Sequence, residues 1–168
     1  MASVLHLRMS FDLGITFTKP IKVSELLPKA AAVLTEMLSL RNQLTLTLHE
    51  RSLDECHQLQ DAELRQGNGA LVVVAVEANI DEGVEIIAGL ESATVSIRPA
   101  HTNLQYALGA AVVIALAREL GEDIRDESQL YGNKYRKSPE EILEFMKVRG
   151  SWDDYYEAAE QLADRFPE

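Results

Sequence analysis

The sequence has few of the residues that would crosslink a fold or attach it to nucleic acid. Cys56 is the only cysteine among 168 residues, which excludes an internal disulfide and is typical of a reducing compartment. The 16 lysines and arginines stand against 27 aspartates and glutamates, which gives a formal net charge of −11. Such an acidic chain repels phosphate backbones, so we expect no nucleic-acid partner.

Long apolar runs are missing as well. The longest one, Tyr106 to Ala117, is shorter than the roughly 20 residues that span a bilayer. Near the N-terminus, Arg8 and Asp12 interrupt the chain before the apolar segment of a signal peptide could develop. We therefore expect a cytoplasmic protein without a membrane partner.

Established catalytic spacings are absent too. The sequence contains no glycine-rich phosphate loop, no paired-cysteine zinc motif, no HExxH and no GxSxG. Cys56 and His57 are adjacent, and neighbouring side chains point apart on a helix or a strand, so they do not form a nucleophile and its base. We expect no cofactor, no metal and no catalytic residue. A small enzyme with dispersed acidic residues stays open as an alternative.

The segment GEDIRDESQLYG, from Gly121 to Gly132, is the stretch that looks most like a metal site. Its acids are Glu122, Asp123, Asp126 and Glu127. They lack the glycine and glutamate spacing of a calcium-binding EF-hand loop. If the segment is extended, only Ile124 is expected to be buried, as in a short edge strand whose charges discourage further pairing. The acids are therefore interpreted as structural.

Apolar periodicity predicts a single α+β domain over residues 1–168, with a sheet-and-helix core over 1–130 and a C-terminal helical extension over 131–168. The sheet is expected to be mainly antiparallel, with helices packed on one face and a C-terminal helical pair. Residues 4–17 are predicted to be a strand or a hairpin, and the other predicted strands are QLTLTLHE, ALVVVAVEA and ATVSIRP. SLDECHQLQDAELRQ is predicted to be a surface helix or an ordered loop, and IDEGVEIIAGLES a helix or a hairpin arm.

Four helices are predicted. The first covers residues 24–40, or begins at Leu27 because Pro28 is tolerated only in a first turn. The second, from Thr102 to Leu120, has a capping-box start, a Gly121 stop and an interior that is apolar all round, so it should be the central buried helix. Two more begin at the Ser138-Pro139 and Ser151-Trp152 pairs.

Acidic residues are distributed unevenly. Ten of them lie from Glu50 to Glu91 against two arginines, and six lie from Ser151 onward against Arg165, whereas Lys134, Arg136 and Lys137 form a small basic group. Seven of the ten aromatic residues follow position 130, and packing is their default role. Aromatics flanked by acids also have the composition of a surface that binds a basic partner. The candidate partner-binding residues are Asp81, Glu82, Glu85, Trp152, Asp153, Asp154, Tyr156 and Glu157.

The segment ALGAAVVIALARELGEDIRDESQLYG resembles small α+β immunity-type proteins of bacterial polymorphic-toxin systems. In both, an alanine-rich helix runs into a glycine and an I-x-D strand, and a proline-started helix follows; the resemblance covers Asn103 to Glu144. It implies an acidic cytoplasmic protein that binds and blocks a toxin domain. No binding residue is carried over, because such proteins place their contacts on variable surfaces.

The leading hypothesis is therefore a non-catalytic binding protein that occludes a protein partner with a basic surface, such as a toxin domain. The alternatives are the small enzyme and a structural or oligomerisation module. The sequence leaves the oligomeric state open.

Overall fold

Antiparallel pairing dominates the sheet. A computed structural model describes residues 10–51, 56–97 and 101–166, and it confirms the α+β class. The strands are β1 Phe11–Thr16, β2 Ile21–Lys22, β3 Leu46–Arg51, β4 Cys56–Leu59, β5 Glu63–Leu64, β6 Leu71–Val76, β7 Val84–Ala88, β8 Ser92–Ile97, β9 Ile124–Asp126 and β10 Arg136–Lys137. Eight of these strands form one sheet in the order β10-β9-β1-β8-β7-β6-β3-β4, while β2 pairs with β5 separately.

Four helices accompany the sheet in the described ranges: α1 Val23–Met37, α2 Asn103–Leu120, α3 Pro139–Met146 and α4 Tyr155–Glu160. Short 3-10 turns cover Ile80–Glu82 and Ala163–Arg165. Among the helices of these ranges, none is both long enough and apolar enough to cross a bilayer.

Helix α2 lies at the centre of the fold, as its sequence predicts. The Thr102 hydroxyl accepts from the Gln105 N–H, the Gln105 side chain accepts from the Thr102 N–H, and Gly121 ends the helix with φ 68°. Gly109 permits close contact with the sheet, since a Cβ atom there would lie 2.8 Å from the Ile97 side chain. Helix α2 packs against β1, β7, β8 and β9.

Residues alternate in burial along the strands that α2 covers. In β1, Leu13 and Ile15 belong to the apolar core, whereas Asp12 and Thr16 are exposed. Strand β6 is different, because its residues 72–76 are buried irrespective of the face on which they lie. That burial on both faces is what its run of valines predicts.

The C-terminal helices contribute to the same core. Ile142 and Met146 of α3 are fully buried, as is Leu162 beyond α4. Ser138 caps α3 at the predicted Ser138-Pro139 start through a capping box with Glu141, and the helix ends at Met146. The segment predicted as a helical extension also adds β10 to the sheet.

The sequence predicts a surface helix or an ordered loop over residues 52–66, and the helix is wrong for the described part of this stretch, residues 56–66. Described residues of this stretch form β4, which pairs with β3, and β5, which pairs with β2. Helix α1 likewise begins at Val23 and continues through Pro28, so a start at Leu27 is wrong. The first turn of α1 is stabilised by residues that are distant in the sequence. The Val23 N–H donates to the Ala62 carbonyl and the Ser24 N–H to Asp61 Oδ1, each at 2.9 Å.

The segment after α2 also departs from expectation. Strand β9 is extended, but it is an interior strand between β1 and β10, and Asp126 is buried together with Ile124. Asp126 accepts from the Leu130 and Tyr131 backbone N–H groups at 2.9 and 2.8 Å, and from Lys137 Nζ at 3.1 Å. Lys137 is therefore a buried partner of Asp126 and not part of a basic surface group.

A candidate protein-binding cleft

Two acidic segments that are far apart in the sequence meet around Tyr156. The Tyr156 hydroxyl donates to Glu82 Oε1 at 3.0 Å and accepts from Asn79 Nδ2 at 2.6 Å. Asn79 Nδ2 also donates to Glu82 Oε1 at 2.9 Å. The turn before β7 and the start of α4, which both contain candidate partner-binding residues, are therefore in direct contact.

The turn that follows β6 has an unusual backbone. Glu77 and Ala78 both have positive φ, 49° and 65°, and the Asn79 N–H closes the turn on the Val76 carbonyl at 2.9 Å. Such values are uncommon for residues other than glycine, asparagine and aspartate. Contacts with the β3 segment hold the turn, since the Glu77 N–H donates to Thr45 O and the Ala78 N–H to Thr47 Oγ1. The turn places Glu77 beside the start of α4.

Trp152 holds the segment before α4 against the residues that follow α1. The backbone N–H of Trp152 donates to the Ser39 carbonyl at 3.0 Å, and its backbone carbonyl accepts from the Arg41 N–H at 2.9 Å. These two bonds form a parallel bridge between Leu40 and Trp152. The half-buried indole packs on the core and donates to the Arg149 carbonyl. Because residues 151–153 are held in this way, α4 begins at Tyr155 and not at the predicted Ser151-Trp152 pair.

Helix α4 starts at an acidic cap. Asp154 Oδ1 accepts from the Tyr156 N–H at 2.7 Å, which satisfies one of the free donors of the first turn. Beside it, Asp153 Oδ2 lies 2.7 Å from Arg41 Nη1, with both side chains largely exposed. Such an exposed pair contributes little to the stability of the fold.

Between these segments lies a cleft of about 470 Å³, called here the Tyr156 cleft. Leu40 and Leu44 are its apolar lining residues, called here the apolar floor, and the rings of Tyr155 and Tyr156 are tilted by 39° with centroids 4.6 Å apart. The described lining residues include three carboxylates and no basic side chain. The described lining residues are Leu40, Asn42, Gln43, Leu44, Glu77, Asp153, Asp154, Tyr155 and Tyr156.

The two tyrosines keep their protons at neutral pH. Burial and the hydrogen bond to Glu82 raise the pKa of Tyr156 to about 12. Burial, together with the charge of Glu77, also raises the pKa of Tyr155. Both phenols are therefore neutral at pH 7 and can donate hydrogen bonds to Glu77 and Glu82.

The other predicted residues lie around the cleft or outside it. Asp81 and Glu157 are exposed neighbours of Glu82 and Tyr156. Glu85 lies on β7, opposite Val73 and Ser96, and does not line the cleft. Glu77, Asn42, Gln43 and Tyr155 were not among the predicted residues. A polar turn at the end of the valine-rich strand was the one signal for Glu77.

Within residues 10–51, 56–97 and 101–166, no group of three or more histidine, cysteine, aspartate or glutamate side chains is placed to hold a metal ion. Comparison with protein-family models, curated proteins and solved structures finds no match to this chain.

Proposed function

We propose that this chain is a non-catalytic acidic protein that binds a protein partner with a basic surface. The observation that carries the proposal is the union of two acidic segments around Tyr156. The surface through which the partner binds is termed the acidic face. It consists of Glu77, Asp81, Glu82, Asp153, Asp154 and Glu157.

The charge of the acidic face supports association with a basic surface. Its six carboxylates are accompanied by Arg41, which pairs with Asp153. A concentration of one charge accelerates the encounter with an oppositely charged partner. Tyr156 is the exposed aromatic at its centre, with 42% of its surface accessible. Tyrosine with a hydrogen-bonding hydroxyl is a frequent anchor of protein interfaces.

The partner we favour is a toxin domain, and the mechanism is occlusion in the cytoplasm. This choice rests on the resemblance of residues 103–144 to immunity-type proteins and on the acidic composition. An occluding protein needs no catalytic group, because covering the partner's own site is sufficient. The single cysteine agrees with a reducing compartment.

The test is to isolate the partner from the native host and to measure association kinetics at two salt concentrations. Asp81→Asn with Glu157→Gln removes two exposed charges from the acidic face. We expect association at low salt to slow at least about threefold, with a smaller dependence on salt and little change in dissociation.

The matched control is Asp123→Asn with Glu91→Gln, which removes the same charge from exposed positions elsewhere. Glu91 follows β7, whereas Glu82 precedes it, so the two acids lie at opposite ends of that strand. If the control pair slows association as much as the face pair does, the acidic face is not the binding surface.

A further inference from the structure

The Tyr156 cleft combines apolar lining residues with three carboxylates, and this combination matches one kind of side chain. We propose that the cleft is a binding site for the guanidinium group of an arginine side chain. The inference deepens the proposed function and rests on it for the source of the arginine, which is the basic partner. It also stands as a statement about the cleft alone.

The floor suits the stem of the side chain. Leu44 is buried, and Leu40 is partly buried where it packs against the core. Arginine carries three methylene groups before its charged head, and such stems cover apolar surface while the head stays near water. A purely polar ligand would leave this floor uncovered.

The carboxylates of the cleft are suited to bind the guanidinium group. Glu77 Oε2 is 3.5 Å from the Tyr155 hydroxyl, a long contact that leaves its carboxylate most of its accepting capacity. Asp154 uses Oδ1 to cap α4. Guanidinium groups pair with carboxylates through two parallel hydrogen bonds, which compact ammonium groups cannot do.

The chain itself already places one guanidinium beside these carboxylates. Arg41 Nη1 lies 2.7 Å from Asp153 Oδ2, directly beside the lining residues Leu40 and Asn42. Arg41 does not line the cleft, so Glu77 and Asp154 remain for a second guanidinium. The pair of Arg41 and Asp153 is thus an example, within the chain, of a guanidinium bound to a carboxylate of the cleft.

The aromatic wall favours arginine over lysine. Tyr155 and Tyr156 are tilted by 39° with respect to each other, and Tyr156 is exposed. A planar, weakly hydrated guanidinium stacks on such a ring and gains a cation–π attraction. A lysine ammonium is more strongly hydrated and should bind more weakly.

The experiment is an amide NMR titration of the full chain with N-acetyl-arginine amide. N-acetyl-lysine amide tests the preference for guanidinium, and N-acetyl-citrulline amide is the uncharged isostere. We expect saturable shifts at Glu77, Asp154 and Tyr156 with arginine, with a dissociation constant on the order of 1–10 mM. Lysine should bind several-fold more weakly, and citrulline should not saturate.

Two variants make the result decisive. Glu77→Gln should weaken arginine binding at least about fivefold, and the exposed Asp123→Asn should leave it unchanged; thermal melts confirm that both are folded. Equal binding of citrulline, shifts located away from the cleft, or no loss in Glu77→Gln would overturn the inference. If arginine binds in the cleft but the partner binds outside the acidic face, the proposed function is rejected and this inference stands.

If the partner binds the acidic face but arginine does not saturate the cleft, this inference is rejected and the proposed function stands.

Discussion

The phenol oxygen of Tyr156 lies 3.0 Å from Oε1 of Glu82, a residue 74 positions earlier in the chain. This contact joins the start of α4 to the turn before β7, and Asn79 bonds to both partners. One consequence is that the two acidic segments adjoin each other at Tyr156. Another is that removing the single Tyr156 hydroxyl measures how much this contact contributes to the free energy of unfolding.

Tyr156→Phe should remove the hydrogen bonds of Tyr156 with Glu82 and Asn79 without unfolding the protein. Asn79 and Glu82 remain hydrogen-bonded to each other, so we expect a loss of about 1 kcal/mol in the free energy of unfolding. Chemical denaturation measures the loss. Tyr135→Phe is the matched control, because its hydroxyl makes only a 3.3 Å contact with Glu127. If the control costs as much, the Tyr156 hydroxyl has no special role.

The ionisation of Tyr156 should be visible in alkaline solution. Its pKa is raised from 10.0 to about 12, so the folded chain keeps the phenolic proton after the unfolded chain has lost it. Its contribution to stability is therefore complete below pH 10.0 and is lost as the pH rises to about 12. The ultraviolet absorbance of tyrosinate, compared between the wild type and Tyr156→Phe, isolates this group. A difference spectrum that titrates near pH 10 would contradict the assigned environment.

The buried pair of Asp126 and Lys137 should matter far more than an exposed pair. Their side chains are 1% and 3% accessible, and Asp126 Oδ2 lies 3.1 Å from Lys137 Nζ. Asp126→Asn or Lys137→Met leaves one buried charge uncompensated, so we expect either to cost roughly 3–5 kcal/mol. The double variant should cost less than the two single changes together.

Lys134 and Glu141 provide the comparison, since they are 2.8 Å apart but 67% and 42% accessible. Breaking that exposed pair should cost no more than about 1 kcal/mol. Equal costs for the two pairs, measured by denaturant unfolding, would show that the Asp126 environment is not as described.

Divalent metals should leave the melting temperature nearly unchanged. Both oxygens of Asp126 already accept hydrogen bonds from within the chain, so it is poorly placed to act as a ligand alongside Asp123. A specific metal at 100 times its dissociation constant would add about 2.7 kcal/mol to the free energy of unfolding. A reproducible upward shift with calcium, magnesium or zinc that disappears in Asp123→Asn would contradict this expectation.

Helix α2 should not accept a charge in its interior. Val113 and Ile114 are fully buried, so replacing either by aspartate should prevent folding, because an unpaired buried carboxylate costs several kcal/mol. Aspartate in place of Arg118 should be tolerated, since that side chain is exposed and makes only a 3.4 Å ion pair with Glu140. A cooperatively melting Val113→Asp protein would be inconsistent with this helix.

Local signals explain which elements are predictable from sequence. The ends of α2 are determined by Thr102, Gln105 and Gly121, residues adjacent to the helix they delimit. The start of α1 depends instead on Asp61, which lies 37 residues from Ser24. Strand β4 is short and polar, so no periodicity distinguishes it from a surface helix.

The cleft was only partly predictable for the same reason. Acidic and aromatic composition pointed to the segments that contain Glu82 and Tyr156. Their meeting, however, is a contact between residues 74 positions apart, which leaves no pattern in the sequence. Glu77 was missed because its role follows from the positive φ of its turn.

The most direct test of the proposed function is amide NMR mapping of the complex with the partner isolated from the native host. We predict that the largest shifts lie on the acidic face and the Tyr156 cleft, at Glu77, Glu82, Asp154, Tyr155 and Tyr156. Residues of β9 and of the turn between β7 and β8 should remain unchanged. Shifts concentrated on those distant elements, with Tyr156 and Glu82 unaffected, would contradict the account.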